Sequence, residues 1–131
     1  MRIFIDMDEV MADAYNAHIE WYNKEFHENL TREACMGKEV IDSVPQERRQ
    51  SVWDHLFADG FFRNLNPIDG AKEVIRELQN AHEVYVATAA TQFPNSLREK
   101  SDWLDEHFPF IPWQNRILCG HKHVLKGDVL I

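Results

Sequence analysis

The sequence predicts an α/β protein built on a parallel sheet, with a helical insert behind its first strand. Short runs rich in Val, Ile, Leu and Tyr occur at residues 3–5, 84–87, 116–119 and 129–131, with the continuous apolar content of strands buried on both faces. Segments of helical period separate the later runs, and strand, helix, strand, helix, strand is the order of a parallel sheet. The stretch from Asp13 to about Asn66 interrupts this alternation, because it holds no strand-like run.

Ile3 to Ile5 form the first strand, and the apolar run ends at Asp6, too short for a signal-peptide core or a membrane span. A cytoplasmic protein with no membrane partner is the expectation. In the insert, Tyr15, His18, Ile19, Tyr22 and Phe26 recur at helical spacing, and Ser43-Val44-Pro45-Gln46 reads as a capping box before a helix carrying Val52, Leu56 and Phe57. Asp69-Gly70 then opens a helix with Ala71, Val74, Ile75 and Leu78 on one stripe. Asn95-Ser96 opens another with Leu97, Leu104 and Phe108 inward. The expected division is an α/β core from residues 1–13 and 67–131, with a helical cap from 14–66. An insert directly after the first strand stands at the carboxyl end of the sheet, where α/β folds bind ligands, so it suits a lid.

The 131 residues, 44% of them hydrophobic and 27% charged, suffice for one domain, or one small core with an insert. Disorder, collagen-like repeats and coiled coil are excluded by that composition, and no internal repeat or low-complexity linker is present. With 14 Lys+Arg against 22 Asp+Glu the net charge is −8, which excludes a basic face for a nucleic-acid polymer. Any anionic ligand must be held locally. Cys35 and Cys119 stand far apart without metal-ligand spacing and read as reduced thiols. Self-association is left open by the sequence.

The sharpest chemical feature is Phe4-Ile5-Asp6-Met7-Asp8-Glu9-Val10, an apolar strand that ends in three carboxylates within four residues. Like charges that close repel, and a bound cation offsets the cost. Hard divalent ions take oxygen ligands, and Mg²⁺ uses one or two carboxylates with waters and a substrate phosphate. His121 and His123 form a His-x-His pair, but no third His or Cys stands beside them in the sequence.

Asp6-x-Asp8-x-Val10 after a buried N-terminal strand resembles the first motif of the haloacid dehalogenase superfamily. The longer blocks Asp6-Met7-Asp8-Glu9-Val10-Met11-Ala12-Asp13 and Gly60-Phe61-Phe62-Arg63-Asn64-Leu65-Asn66-Pro67-Ile68-Asp69-Gly70-Ala71 resemble its 5′(3′)-deoxyribonucleotidase branch, and the likeness spans essentially the whole chain. It implies a three-layer Rossmann-like core under a small helical cap. It also implies Mg²⁺-dependent hydrolysis of a small-molecule nucleotide, with Asp6 as nucleophile, Asp8 as acid and then base, and both as metal ligands. Thr88, ending the strand Val84-Tyr85-Val86-Ala87, matches the second motif. Relatives often carry Ser next, whereas here Ala89-Ala90 leaves the Ala89 backbone N–H as the second phosphate donor. The segment from Gly120 to Ile131 matches the third motif and puts Lys122 on nucleophile and phosphate, with Lys126 as the fallback. Phe61 and Phe62 stand where the family re-enters its core and suit stacking on a nucleobase. Glu9 stands where many relatives have Gly.

The superfamily's fourth motif, an acidic pair after the last core strand, does not follow Ile131. The expectations this leaves are a fragment of a longer protein, favoured by the uncovered strand edge, or a nucleotide- or phosphate-binding module with little turnover. A phosphatase for another small phosphomonoester shares the same machinery. A signalling receiver domain fits badly, since Asp54 and Asp59 lie in helical or turn-like sequence rather than at the end of a middle strand.

Overall fold

The computed structural model describes residues 1–131. Strands β1 (Arg2–Ile5), β2 (Glu83–Ala89), β3 (Arg116–Cys119) and β4 (Val129–Leu130) form one sheet in the order β3-β2-β1-β4, and every neighbouring pair is parallel. Four helices accompany it: α1 (Ala14–Phe26), α2 (Arg49–His55), α3 (Ala71–Ala81) and α4 (Pro94–His107).

The strand order dictates where the helices lie. From β1 through β2 to β3 the chain steps in one direction, and right-handed crossovers then place α3 and α4 on the same face. Ile3, Ile5, Val84 and Val86 point to that face and share the main core with Ile75 of α3 and with Trp103 and Leu104 of α4. To reach β4 on the far side of β1, the chain must reverse, and residues 120–128 cross the opposite face. Gly127 passes so close to that face that a Cβ there would lie 2.4 Å from the Phe4 ring. The reversal between β1 and β4 creates a switch point at the carboxyl end of β1, the place where such sheets bind ligands.

β1 and β2 are central and mostly buried, whereas β3 is half-buried and β4 exposed. Burial on both faces therefore holds for the inner strands and not for the edge strands, whose apolar content alone does not reveal their position.

Three details of the helices differ from the periodic reading. Val74 is 56% exposed, because the buried face of α3 is set by Ile75, one residue and 100° away. Leu97 is also exposed, at the margin of a buried stripe on α4 made by Ser96, Lys100, Trp103 and Leu104. Ser43 caps no helix: it ends a short 3₁₀ turn, Val40–Ser43, and its hydroxyl donates backwards to the Glu39 carbonyl at 3.0 Å. α2 instead grows out of a second 3₁₀ turn, Gln46–Arg48, without a side-chain cap.

Residues 14–66 contain no strand and enclose their own small core of Ile19, Tyr22, Cys35, Val40, Val44 and Val52. α4 grips the returning end of this segment. Glu99 accepts from the Gly60 and Arg63 N–H groups at 3.1 and 3.0 Å, and the Trp103 indole donates to the Leu65 carbonyl at 2.8 Å. Cys35 and Cys119 are free. No helix is long and apolar enough to cross a membrane.

Candidate active site

The acidic turn after β1 is wound around one buried carbonyl. Met7 is fully buried, and its C=O accepts the Met11 and Ala12 N–H groups at 2.8 and 2.9 Å. The Asp6 N–H extends the β4 ladder by donating to the Ile131 carbonyl at 2.8 Å. Asp6 Oδ1 accepts the Met7 N–H at 2.7 Å, while Oδ2 faces Lys122 Nζ at 2.5 Å. Lys122 reaches it from the crossing segment 120–128, so the strand reversal itself delivers the cation to the aspartate. Lys126 is exposed and lines an open groove with Met1 and His82 at the amino-terminal end of the sheet. Of the two lysines expected near Asp6, Lys122 is the one brought there.

Asp8 meets a different cation. Its Oδ2 lies 3.1 Å from Nζ of Lys100, which is 1% exposed on α4. The same ammonium donates to Thr88 Oγ1 at 2.9 Å and to the Ala89 carbonyl at 3.0 Å, and it sits 4.8 Å from the Phe62 ring centroid. Thr88 is thus joined to Asp8 through Lys100, and its hydroxyl is buried, whereas Ala89 is exposed. The sequence reading missed Lys100, although a signal was present: a lysine on the inward stripe of an amphipathic helix must find a buried partner.

Glu9 takes φ 66°, a left-handed conformation rare for a residue with a Cβ. Its carboxylate accepts the Tyr15 N–H at 2.6 Å in the first turn of α1 and stands 3.7 Å from Arg32. Burial pushes the Glu9 carboxyl above its ordinary range, against the Tyr15 N–H that pulls it down. Tyr15 in turn points its hydroxyl at the Lys38 and Cys35 carbonyls at 2.6 and 3.0 Å, which ties the turn to the loop beyond α1.

Between this turn and residues 14–66 lies a cavity of ≈ 370 Å³, mostly apolar, whose wall includes Asp8, Tyr15, His18, Trp53, Phe61 and Phe93. Phe62, Val40 and Ile41 complete its apolar side. Phe61 and Phe62 are only 1% and 3% exposed, so each presents a sliver of ring, while Trp53 and Phe93 are more open. His18 Nε2 donates to the Val52 carbonyl at 2.7 Å, and burial holds its imidazole below the usual range.

The donor set suits a hard cation. Asp8 Oδ1 is buried without a hydrogen-bond partner, an arrangement that costs free energy until something occupies it. Two carboxylates in one turn match what Mg²⁺ asks of a protein when substrate phosphate and water supply the rest. No three or more His, Cys, Asp or Glu side chains are arranged so that they could hold a metal ion by themselves. His121 and His123 bring their rings to 5.0 Å of each other.

An acidic pair, each member facing its own lysine, with a strand-end threonine at the switch point of a parallel α/β sheet, is the equipment of a hydrolase acting on phosphoric monoesters. The comparisons define the family. The profile of the "5′ nucleotidase, deoxy (Pyrimidine), cytosolic type C protein" family matches residues 1–131, and the chain belongs to it. It is 41% identical over 129 residues to the 5′(3′)-deoxyribonucleotidase of Bacillus subtilis, covering 98% of this chain and 73% of that protein. The 5′(3′)-deoxyribonucleotidase of Bacillus phage SPbeta matches to the same extent. Among solved structures, the HAD-hydrolase YfnB of Bacillus subtilis bound to magnesium is similar at TM-score 0.45 and 18% identity, over 83% of this chain and 61% of that one.

Proposed function

We propose that this chain removes phosphate from deoxynucleoside monophosphates through an aspartyl-phosphate formed on Asp6. The observation that carries the reading is the pairing of Asp6 with Lys122 and Asp8 with Lys100 in one turn at the mouth of an apolar cavity. Asp6 attacks phosphorus in line, with Lys122 offsetting the charge of nucleophile and phosphate. Asp8 protonates the departing sugar oxygen, then takes a proton from the water that cleaves the intermediate. The Ala89 backbone N–H and the Thr88 hydroxyl are the donors for phosphoryl oxygens. Phe61 and Phe62, with the more open Trp53 and Phe93, form the wall against which the nucleoside packs. Asp6 and Asp8 would hold Mg²⁺, which supplies charge neutralisation between carboxylate and phosphate.

The test is release of inorganic phosphate from a set of deoxynucleoside monophosphates and sugar phosphates, with Mg²⁺ and with a chelator. Turnover is expected on nucleotides, lost on chelation, and reduced by at least about 10³-fold in Asp6→Asn with the circular dichroism spectrum unchanged. Full activity in that variant removes the nucleophile. Hydrolysis of sugar phosphates with rejection of every nucleotide overturns the substrate class.

A further inference from the structure

We infer that His18 reads the base: its Nδ1 accepts a hydrogen bond from an N–H group on the edge of the nucleobase held in the cavity beside the acidic turn. The inference rests on the reading of that cavity as the nucleoside site given above.

The wall of the cavity is mostly apolar, and an aromatic or aliphatic surface accepts the face of any base. Discrimination among bases needs a fixed polar atom that meets an edge. Few such atoms are free. The Glu9 carboxylate is taken by the Tyr15 N–H, and the Tyr15 hydroxyl by the Cys35 and Lys38 carbonyls. Asp8 is bound to Lys100 and belongs to the phosphate end. Glu39 is exposed, so water competes for its carboxylate. His18 is half-buried in the wall, and one of its two nitrogens is uncommitted.

The end of α2 decides which nitrogen that is. A regular turn would give the Leu56 N–H to the Val52 carbonyl, but here that N–H goes to the Trp53 carbonyl at 3.1 Å. The Val52 oxygen is left without a helical partner, and His18 of α1 takes it, with Nε2 donating at 2.7 Å. The Phe61 and His55 rings stand edge-on to the imidazole at 5.4 and 6.0 Å and hold its plane. The two nitrogens of an imidazole point to nearly opposite sides of the ring, so Nδ1 is turned away from Val52. It has no protein partner, yet it keeps contact with solvent, since the buried side-chain atoms left unpartnered are Asp8 Oδ1 and His55 Nδ1. Burial favours the neutral ring, and a neutral imidazole protonated on Nε2 offers only a lone pair at Nδ1. Its complement is a donor. α1 starts directly behind the acidic turn at Ala14, so His18 stands one helical turn, about 5–6 Å, farther along. That spacing leaves room for the sugar between the acidic turn and His18, and puts Nδ1 at the level of the base.

The test separates the two nitrogens. Glutamine places an amide N–H where Nε2 stands and nothing at the Nδ1 position, whereas the Oδ1 of asparagine falls at the Nδ1 position and its side chain does not reach Val52. Affinities for the four common deoxynucleoside monophosphates and for 2-deoxyribose 5-phosphate are read from quenching of tryptophan fluorescence, since Trp53 lines the cavity. A chelator is present so that binding is read without turnover. The quantity compared is the affinity for the nucleotide the parent binds tightest, divided by that for 2-deoxyribose 5-phosphate, which keeps sugar and phosphate and lacks the base. His18→Gln is expected to lower this ratio about 10-fold, and His18→Asn to hold it within about 2-fold of the parent while lowering the urea midpoint through the lost Val52 contact. A ring that only caps α2 gives the reverse order, with the ratio kept in His18→Gln and lost in His18→Asn, and that result overturns the inference. An equal fall for both ligands in His18→Gln also overturns it, because the contact then goes to the sugar or to the fold. If the parent binds 2-deoxyribose 5-phosphate as tightly as every nucleotide, the reading of the cavity as a nucleoside site fails and takes this inference with it. His18→Gln decides alone if His18→Asn does not fold. Loss of fold in His18→Gln assigns the ring to structure and overturns the inference.

Discussion

Glu9 illustrates how a single residue balances two costs. Its left-handed φ of 66° is worth about 1 kcal/mol or more of strain for a residue with a Cβ. The carboxylate offsets this by capping α1 through the Tyr15 N–H at 2.6 Å, a contact worth about 1 kcal/mol. Glu9→Ala keeps the strain and loses the cap, so it should lower stability by about 1 kcal/mol. Glu9→Gly loses the cap but relieves the strain and should fall within about 0.5 kcal/mol of the parent. Urea unfolding of the two variants decides this, and equal losses would mean that φ carries no cost here.

At the scale of elements, α4 and the crossing segment 120–128 carry the two lysines to the two aspartates. The crossing segment is held against the sheet at Gly127, where an added methyl would lie 2.4 Å from the Phe4 ring and 3.2 Å from the Arg2 carbonyl. Gly127→Ala should cost about 1–3 kcal/mol by overpacking. Because Lys122 rides on the same segment, phosphate release should fall as well, with KM rising as Lys122 withdraws from Asp6. An unchanged urea midpoint would show that the segment can lift away freely. α4 also shows why its role was hard to read in advance. Leu97 and Leu104 suggest an apolar stripe, yet the buried face is Ser96, Lys100, Trp103 and Leu104, and local hydropathy ranks a lysine as outward.

At the scale of the whole molecule, the main core meets the smaller core of residues 14–66 along α1. His18 lies at that seam, 5.4 Å from the Phe61 ring and 6.0 Å from the His55 ring, with Nε2–H on the Val52 carbonyl. Burial first, and the neighbouring His55 to a smaller degree, keeps its imidazole below the ordinary histidine value. The unfolded chain then binds a proton at His18 before the folded chain does, so the stability from the neutral ring is present above pH ~6.5 and is lost as pH falls through the lower native value. Melting temperature should therefore drop between pH ~7 and ~5, with a shallower slope in His18→Gln. Parallel slopes for the two proteins would place the acid sensitivity elsewhere.

The four strand runs, the helical stretch after the first strand and the Asp6-Asp8 turn were all legible from residue order, because apolar runs and clustered like charges are properties of neighbours in the chain. Thr88 and Lys122 were legible as parts of an ordered set of motifs. The pairing of Lys100 with Asp8 spans 92 residues: the helical period puts Lys100 on the inward stripe of α4 but does not say which acceptor it meets there. The choice of Lys122 over Lys126 depends on how the segment 120–128 crosses the sheet. Trp53 and Phe93 join Phe61 and Phe62 in one wall because α4 pins the returning segment through Glu99 and Trp103. Such contacts follow from strand order, register and helix docking, which set the distances between residues far apart in sequence, and these emerge only when the whole chain packs.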